Sequence, residues 1–518
     1  MNENSRIANS IKNISFGLVS QLIQMILGFV SRTIFIKFLA VEYLGVNGLF
    51  TNILSLLSLA ELGIGSAMLY ALYKPIAEKD HRKMAALIRL YGKIYTVIAI
   101  TIAFAGLLLI PFLSTIVQNA PEAIARNLVI IYLLFLFNTV SSYFFSYKLS
   151  LFQADQRSYV ISKTNTVVFI IQNLTQILVL IWFRNFILYL VVQTFFQLIG
   201  NLIISYLVHK YYPFLSQFKN EKVDQITKKE IISNIKSTAL NKVGGLIVNN
   251  TDNLILNYFS GLVMVGLLSN YNLLTGLVLG LIMQVFAGLT ASIANVNATE
   301  SHEKKIETFN VINFANFWVF GLASIFMIVL LNDFIELWIG TKFVLSFSVL
   351  VALVFNFYIY GMQNAVWSFK STLGLFKQGQ YLILLTALLN LVLSFILGSY
   401  FGLLGILIAT AIARLLTNAW YDPYIIHTLA LQLNPIKYFK KYLKYLILLL
   451  VSLVLIYCIS YFLHFSIIIN MILKGLLCLI IPNIIIYLFF KKDIEFQILL
   501  NFASSFIFKF TKKTVHKP

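Results

Sequence analysis

The sequence predicts an all-α polytopic membrane protein with about fourteen transmembrane helices, and three observations lead there. Of its 518 residues, 59% are hydrophobic and 11% charged, with a mean hydropathy of +0.86; a soluble domain carries about 25% charged residues. Apolar stretches of about 20 residues recur along the whole chain, each long enough to cross a bilayer as a helix. Lysine and arginine are distributed with one-sided bias. With both termini on one side, the loops and flanks of that side hold 32 of the 39 basic residues, and the opposite set holds five: Lys37, Arg126, Arg184, Lys342 and Lys474. This is the positive-inside pattern of a multi-pass protein with cytoplasmic termini.

The spans run over 14–38, 44–73, 85–110, 125–149, 159–182, 186–209, 239–260, 263–297, 308–331, 344–370, 380–400, 403–427, 445–464 and 467–490. The first follows a polar leader, MNENSRIANSIKN. It is too long for a signal-peptide core and lacks a small-residue cleavage site, so no cleavable signal is expected. The second contains ELGIGSA (61–67), whose glycines weaken the helix or admit another backbone. Six spans end at 209, and the polar stretch 210–238 reads as a cytoplasmic linker. Six more fill 239–427. The basic loop NPIKYFKKYLK (434–444) then leads into a final pair within 428–490.

The chain thus divides into an N-terminal six-helix half (1–209), the linker, a C-terminal six-helix half (239–427), two final helices (428–490) and a basic tail (491–518). In the tail, Ile494, Ile498, Phe502, Phe506 and Phe510 recur every four residues between flanking lysines. That is the pattern of a helix lying in the inner membrane interface. The two halves carry a faint internal duplication. FLAVEYLG (38–45) and FSGLVMVG (259–266) each follow the first helix of a half, and at that offset Arg32 corresponds to Asn253. Halves with even span counts run parallel, about an axis along the membrane normal.

A charge at bilayer depth costs roughly 2.5–3.5 kcal/mol even on the mildest insertion scale, so such residues face a bundle interior or a wet cavity. Arg32 lies in the first span and Asp252 in the seventh; Glu61, Arg414 and, near a helix end, Asp422 complete the set. Helix 1 carries Gln21, Gln24, Gly28, Ser31 and Arg32 on one face. Helix 7 carries Asn249, Asn253 and Asn257 at intervals of four, with Asn250 and Asp252 alongside. Single residues of this kind glue membrane helices together. Two matching stripes on the first helices of both halves point instead to a hydrated cavity between two six-helix bundles.

The substrate-binding candidates are therefore Arg32, Gln24, Asn249, Asn253 and Arg414. A guanidinium fork grips phosphate oxygens bidentately; the bland alternative for Arg32 is snorkelling to outer headgroups, as expected of Lys37. Glu61 and Asp252 are the candidates for gating or ion coupling. Glu61 either binds a proton or cation or braces a bend, and Asp252 is placed to pair with Arg32 when an outer gate closes. Arg414 is either a second anion contact or a structural partner of Asp422, about two turns further on.

The sequence holds no Walker A, HExxH or GxSxG motif and no Cys/His cluster, so neither an enzyme nor a cofactor is expected. Cys458 and Cys478 lie within spans and lack metal-ligand spacing. The six histidines sit in loops, tails or span ends. The net charge of +20 is explained by basic loops facing anionic headgroups, without nucleic acid.

At FLAVEYLGVNGLFTNILSLLSLAELGIGSAMLYALYKPIAEKD (38–80) the chain resembles the polysaccharide transport family of the MOP flippase superfamily, and within it the Wzx-type flippases of oligosaccharide repeat units. YLGVNGL (43–49) is similar to the family's helix 1–2 turn and ELGIGSA to its acidic, Gly-rich helix 2 signature; the 6 + 6 + 2 layout matches over the whole chain. The resemblance implies a V-shaped pair of bundles around a central cavity, alternating access, and an undecaprenyl-diphosphate-linked oligosaccharide as cargo in a bacterial plasma membrane. It implies cationic residues facing the diphosphate, which suits Arg32, and polysaccharide polymerase and glycosyltransferases as partners. Lipid II flippases of the superfamily carry a denser arginine cluster than Arg32 and Arg414. Its drug exporters couple ions through cavity acids, a role open to Glu61 and Asp252. A non-transporting scaffold of a polysaccharide-assembly complex is the third class.

Overall fold

The computed structural model describes residues 3–61, 64–117, 121–218, 220–375 and 378–501, and every long regular element among them is an α-helix. In chain order these are α1 (Glu3–Phe38), α2 (Val41–Leu57), α3 (Ile64–Glu78), α4 (His81–Leu108), α5 (Glu122–Ala154), α6 (Ser158–Phe183), α7 (Phe186–Tyr211), α8 (Gln225–Thr299), α9 (His302–Ile339), α10 (Phe347–Met362), α11 (Asn364–Thr372), α12 (Gln380–Leu416), α13 (Asn418–Ile425), α14 (Pro435–Ser460) and α15 (Ile467–Phe490). Local chemistry sets several starts. Asp80 accepts a hydrogen bond from the Lys83 amide at 2.9 Å to cap α4, and Asn185 accepts from Leu188 at 3.0 Å to cap α7. Asn434 caps α14, where Pro435 takes the first helical position. Side-chain acceptors there satisfy amides that no helical carbonyl can reach.

Eleven helices among the described residues are long and apolar enough to cross a membrane. Two of them hold two predicted spans each. α8 breaks at Gly261 (φ 74°) and α12 at Gly402 (φ 55°), conformations that side chains other than hydrogen strongly disfavour. At Gly402 the chain reverses. The Asn390 amide donates to Thr410 Oγ1 at 2.9 Å, and the Thr386 and Thr417 hydroxyls are 2.7 Å apart. Residues twenty apart on a straight helix would be about 30 Å apart. The second predicted span is also broken, by a 3₁₀ turn over Ser58–Glu61 between α2 and α3. Counting both arms of α8 and of α12, and α2–α3 as one, restores the fourteen spans read from the sequence.

The chain divides into two compact units, Met1–Ser269 and Asn270–Pro518. In the first, α1 lies along α6, pinned by Asn13, which donates to the Gln156 carbonyl at 2.9 Å, and by a 2.7 Å bond from Thr166 to Ser20. Its core gathers Phe35, Phe50, Leu87, Tyr132 and Leu151, with Tyr132 donating to the Gly106 carbonyl at 2.9 Å. At the basic-loop end, Asp155 accepts from the Tyr212 hydroxyl at 2.9 Å and pairs with Arg157 at 3.0 Å. Burial, then the Asp155 charge, pushes the Tyr212 hydroxyl well above its ordinary range.

In the second unit the final pair packs on α9. Phe317 stacks on Tyr445 at 3.9 Å, and the Trp318 indole donates to Asn483 at 2.8 Å. Ion pairs close both ends of this group, Lys474–Asp333 and Lys441–Glu495, each at 2.6 Å. Of the tail, Phe496 is buried against Trp318 while Ile494 is exposed. Phe502, Phe506 and Phe510 lie outside the described residues.

Candidate functional site

Arg32 lies near the C-terminal end of α1, on the face that meets α7 and the second arm of α8. Its neighbour Ser31 is buried, and Tyr189 on α7 stands beside the guanidinium. One guanidinium nitrogen donates to the Ser269 carbonyl at 3.4 Å. The side chain therefore turns into the protein, and among the described residues no carboxylate forms an ion pair with it. A guanidinium carries five donors, so most of its capacity remains for a ligand. One and two turns earlier on α1, Gly28 has no atom within 4 Å of a would-be Cβ and Gln24 is exposed.

On the first arm of α8, Asp252 and Asn253 are half-buried. Asn253 reaches the neighbourhood of Gly48 on α2. Asn257, one turn on, is fully buried and donates to the Ile116 carbonyl, so that member of the asparagine stripe ties helices together. The side chain of Asn249 lies outside the described residues.

Glu61 ends the 3₁₀ turn between α2 and α3. Its Oε1 accepts from the Tyr95 hydroxyl at 2.9 Å, and the Tyr143 hydroxyl lies beside the same carboxylate and Ser58. Gly65 lies beside this pair: a Cβ there would stand 3.4 Å from the Tyr95 oxygen, an ordinary contact. Tyr91 and Tyr147 flank this group, Tyr147 with its ring 6.5 Å from that of Tyr95. The result is a half-buried carboxylate held by phenols from α4 and α5, with no lysine or arginine pairing it among the described residues. Leu62 and Gly63 of the ELGIGSA motif lie outside the described residues. Nothing in the ELGIGSA segment points to these tyrosines, because they sit on other helices; the one signal the sequence offers is their helical spacing, Tyr91/Tyr95 and Tyr143/Tyr147.

The second unit corrects one expectation. Asp422 does not pair with Arg414. It accepts from Lys370 on α11 at 2.6 Å, with side-chain exposures of 17% for the lysine and 5% for the aspartate. The expectation required a continuous helix from 414 to 422, but α12 ends at Leu416 and Thr417 (φ −124°, ψ −100°) redirects the chain into α13. Arg414 lies over the Tyr360 ring at 5.5 Å, a cation–π contact. Lys370 is the last residue of the predicted span 344–370, and nothing in its own segment points to Asp422, 52 residues further on. The same unit carries an apolar groove of about 410 Å³ between α9, α10 and α14, lined by Ile328, Val351, Phe355, Leu450 and Val454 among others.

Residues 10–288 match the family model described as polysaccharide biosynthesis protein. The chain belongs to that family. No curated protein matches its sequence. Among solved structures the fold is similar to that of the lipid II flippase MurJ in an inward closed conformation, with a TM-score of 0.67 and 17% identity over 92% of this chain and 99% of that one. It is also similar to an inward-facing multidrug resistance MATE family transporter of the MOP superfamily, with a TM-score of 0.60 and 16% identity over 82% of this chain and 98% of that one. At such identities the likeness is one of fold, and it agrees with the superfamily that the sequence resembles. The family match covers α1 to α7 and most of α8, so it includes Arg32, Glu61 and the α8 stripe but not Arg414.

Proposed function

We propose that this protein flips undecaprenyl-diphosphate-linked oligosaccharide repeat units across the bacterial plasma membrane by alternating access, for capsule or exopolysaccharide assembly. The observation that carries the reading is Arg32. It is an inward-turned guanidinium on a membrane helix whose described protein partner is a carbonyl rather than a carboxylate. A cation in low-dielectric surroundings without a counter-charge favours an anion, and a diphosphate offers paired oxygens to its fork. The family match to polysaccharide biosynthesis proteins and the fold shared with a lipid II flippase support the same class of cargo. Glu61 in its tyrosine cage is the site of ion coupling, and Asp252 contributes to gating. The termini and the 210–238 linker are cytoplasmic, polymerase and glycosyltransferases are partners, and no catalytic step is assigned to the chain.

A cation-coupled exporter of amphipathic compounds is the second reading, favoured by Glu61 and by the fold shared with a multidrug transporter. Reconstitution separates the two. Proteoliposomes holding an undecaprenyl-diphosphate-linked glycan are probed with a lectin added outside, with and without the protein. Protein-dependent exposure of the inner-leaflet glycan is expected. Unchanged exposure, together with cation-driven uptake of a lipophilic dye, would replace the flippase by the exporter.

A further inference from the structure

In the second unit Gln363 (φ −79°, ψ −13°) separates α10 from α11, and Tyr360, Asn364 and Trp367 share one face across this break, at spacings of four and three. The face is held from behind. The buried Asn316 amide donates to the Gly361 carbonyl at 2.8 Å, and the Asn364 amide donates to Asn316 Oδ1 at 3.3 Å. A Cβ on Gly361 would collide with the Phe320 ring, so α10 lies directly on α9 there. The Tyr360 and Trp367 rings meet edge to face at 5.1 Å, and Arg414 on α12 covers one side of Tyr360 at 5.5 Å. Side chains fixed in this way receive a ligand without first having to be ordered.

Two polar groups on this face are unsatisfied. Among the described residues neither the Trp367 indole N–H nor the Tyr360 hydroxyl has a partner, whereas the indoles of Trp318 and Trp420 donate to Asn483 and to the Leu416 carbonyl, each at 2.8 Å. Aromatic side chains that face lipid at a membrane interface are differently placed. Trp182, Tyr400 and Tyr461 are 72%, 79% and 78% exposed, while Tyr360, Asn364, Trp367 and Arg414 are all half-buried. A polyprenyl tail offers no acceptor to an indole N–H, and a bare phosphate offers no C–H surface to a ring. A sugar offers both. Its polarised C–H face lies on the electron-rich face of an aromatic ring, and its hydroxyl edge meets amide, indole and guanidinium donors.

We propose that Tyr360, Asn364, Trp367 and Arg414 form a platform for a sugar ring of the cargo, with Trp367 as its stacking surface. This rests on the reading of the protein as a flippase of lipid-linked oligosaccharides, and adds to it a contact for the glycan, separate from the diphosphate contact at Arg32 in the first unit. Arg414 contributes through its donors and its place over the Tyr360 ring rather than as an isolated charge.

The test measures binding to the purified full-length protein in detergent by microscale thermophoresis. The probes are undecaprenyl diphosphate without a sugar and undecaprenyl diphosphate carrying a single glucose, galactose or N-acetylglucosamine. The wild-type protein is expected to bind at least one sugar-bearing lipid about tenfold more tightly than the sugarless one, through a ring contact and a hydrogen bond. Trp367→Ala should remove that preference and leave sugarless binding unchanged, and Trp182→Ala should alter neither. Tyr360→Phe keeps the ring and loses only the hydroxyl, so it should fold even where Trp367→Ala does not, and it should reduce the preference about threefold. Equal wild-type affinity for all the lipids would overturn the platform and leave the flippase reading standing. A preference that survives in Trp367→Ala would do the same. Loss of sugarless binding in Trp367→Ala at a normal thermal midpoint would also overturn it, by making Trp367 a lipid contact. Failure of every lipid to bind would instead overturn the flippase reading, and the platform with it.

Discussion

Gly45 and Gly266 pack reciprocally. A side chain on Gly45 would run into the carbonyl oxygen of Leu262, and one on Gly266 into that of Val41. Each glycine is the eighth residue of its octapeptide, FLAVEYLG or FSGLVMVG, and each carbonyl belongs to the fourth. The faint duplication seen in sequence is thus also a symmetric contact, in which the start of α2 and the second arm of α8 approach as closely as backbones can. Gly48, one turn further along α2, is different: a Cβ there would meet Val265 at 3.6 Å, an ordinary contact.

This contact predicts a contrast. Gly45→Ala presses a methyl on backbone that cannot swing aside, at a cost of about 1–3 kcal/mol. It should lower the thermal midpoint and reduce flux, because the two elements can no longer close. Gly48→Ala should do neither. Wild-type stability and flux in Gly45→Ala would show that the close approach is dispensable.

Arg32 is expected to act through its guanidinium rather than through packing. Arg32→Ala should lose most flux at matched protein level while the thermal midpoint holds or rises, since the 3.4 Å bond to Ser269 is weak and a membrane charge is removed. Arg32→Lys keeps the charge without the fork and should transport partially. Surface polysaccharide per cell is the readout. Normal polymer with Arg32→Ala would remove Arg32 from the mechanism and make Arg414 the leading candidate.

Glu61 separates a coupling role from a brace. Glu61→Gln keeps the acceptor that Tyr95 bonds at 2.9 Å but cannot titrate. Coupling predicts loss of most flux and of its dependence on the transmembrane ion gradient, with an unchanged thermal midpoint. Tyr95→Phe should be milder, with about 1 kcal/mol lost for one hydrogen bond. If Glu61→Gln transports normally and only Tyr95→Phe destabilises, the carboxylate is a brace for the break between α2 and α3.

The Lys370–Asp422 pair should show strong non-additivity. Removing one partner strands a buried charge, and Asp422→Asn or Lys370→Met should each cost about 3–5 kcal/mol. The apolar double replacement Lys370→Met/Asp422→Leu should recover most of that. A thermal-melt double-mutant cycle measures it, and a coupling energy near zero would place the pair in a solvated setting.

Composition and span periodicity sufficed for the class, the helix count and the breaks near 260 and 402, because each span must satisfy its own backbone hydrogen bonds and bury or expose apolar faces to lipid. They also marked Arg32, Asp252, Glu61 and Arg414, since a charge within an apolar run is legible without neighbours. What no single run encodes is which helices meet. The partner of Asp422, the tyrosines around Glu61 and the reciprocal Gly45 and Gly266 contacts all join residues far apart in the chain. The Arg414–Asp422 expectation failed where local helical spacing was extended across Thr417, a change of direction that spacing cannot reveal. Charge and hydropathy are properties of a residue and its segment, and decide what must enter the membrane; hydrogen-bond partners and close backbone approach are properties of pairs, and only the packing of the folded chain selects them.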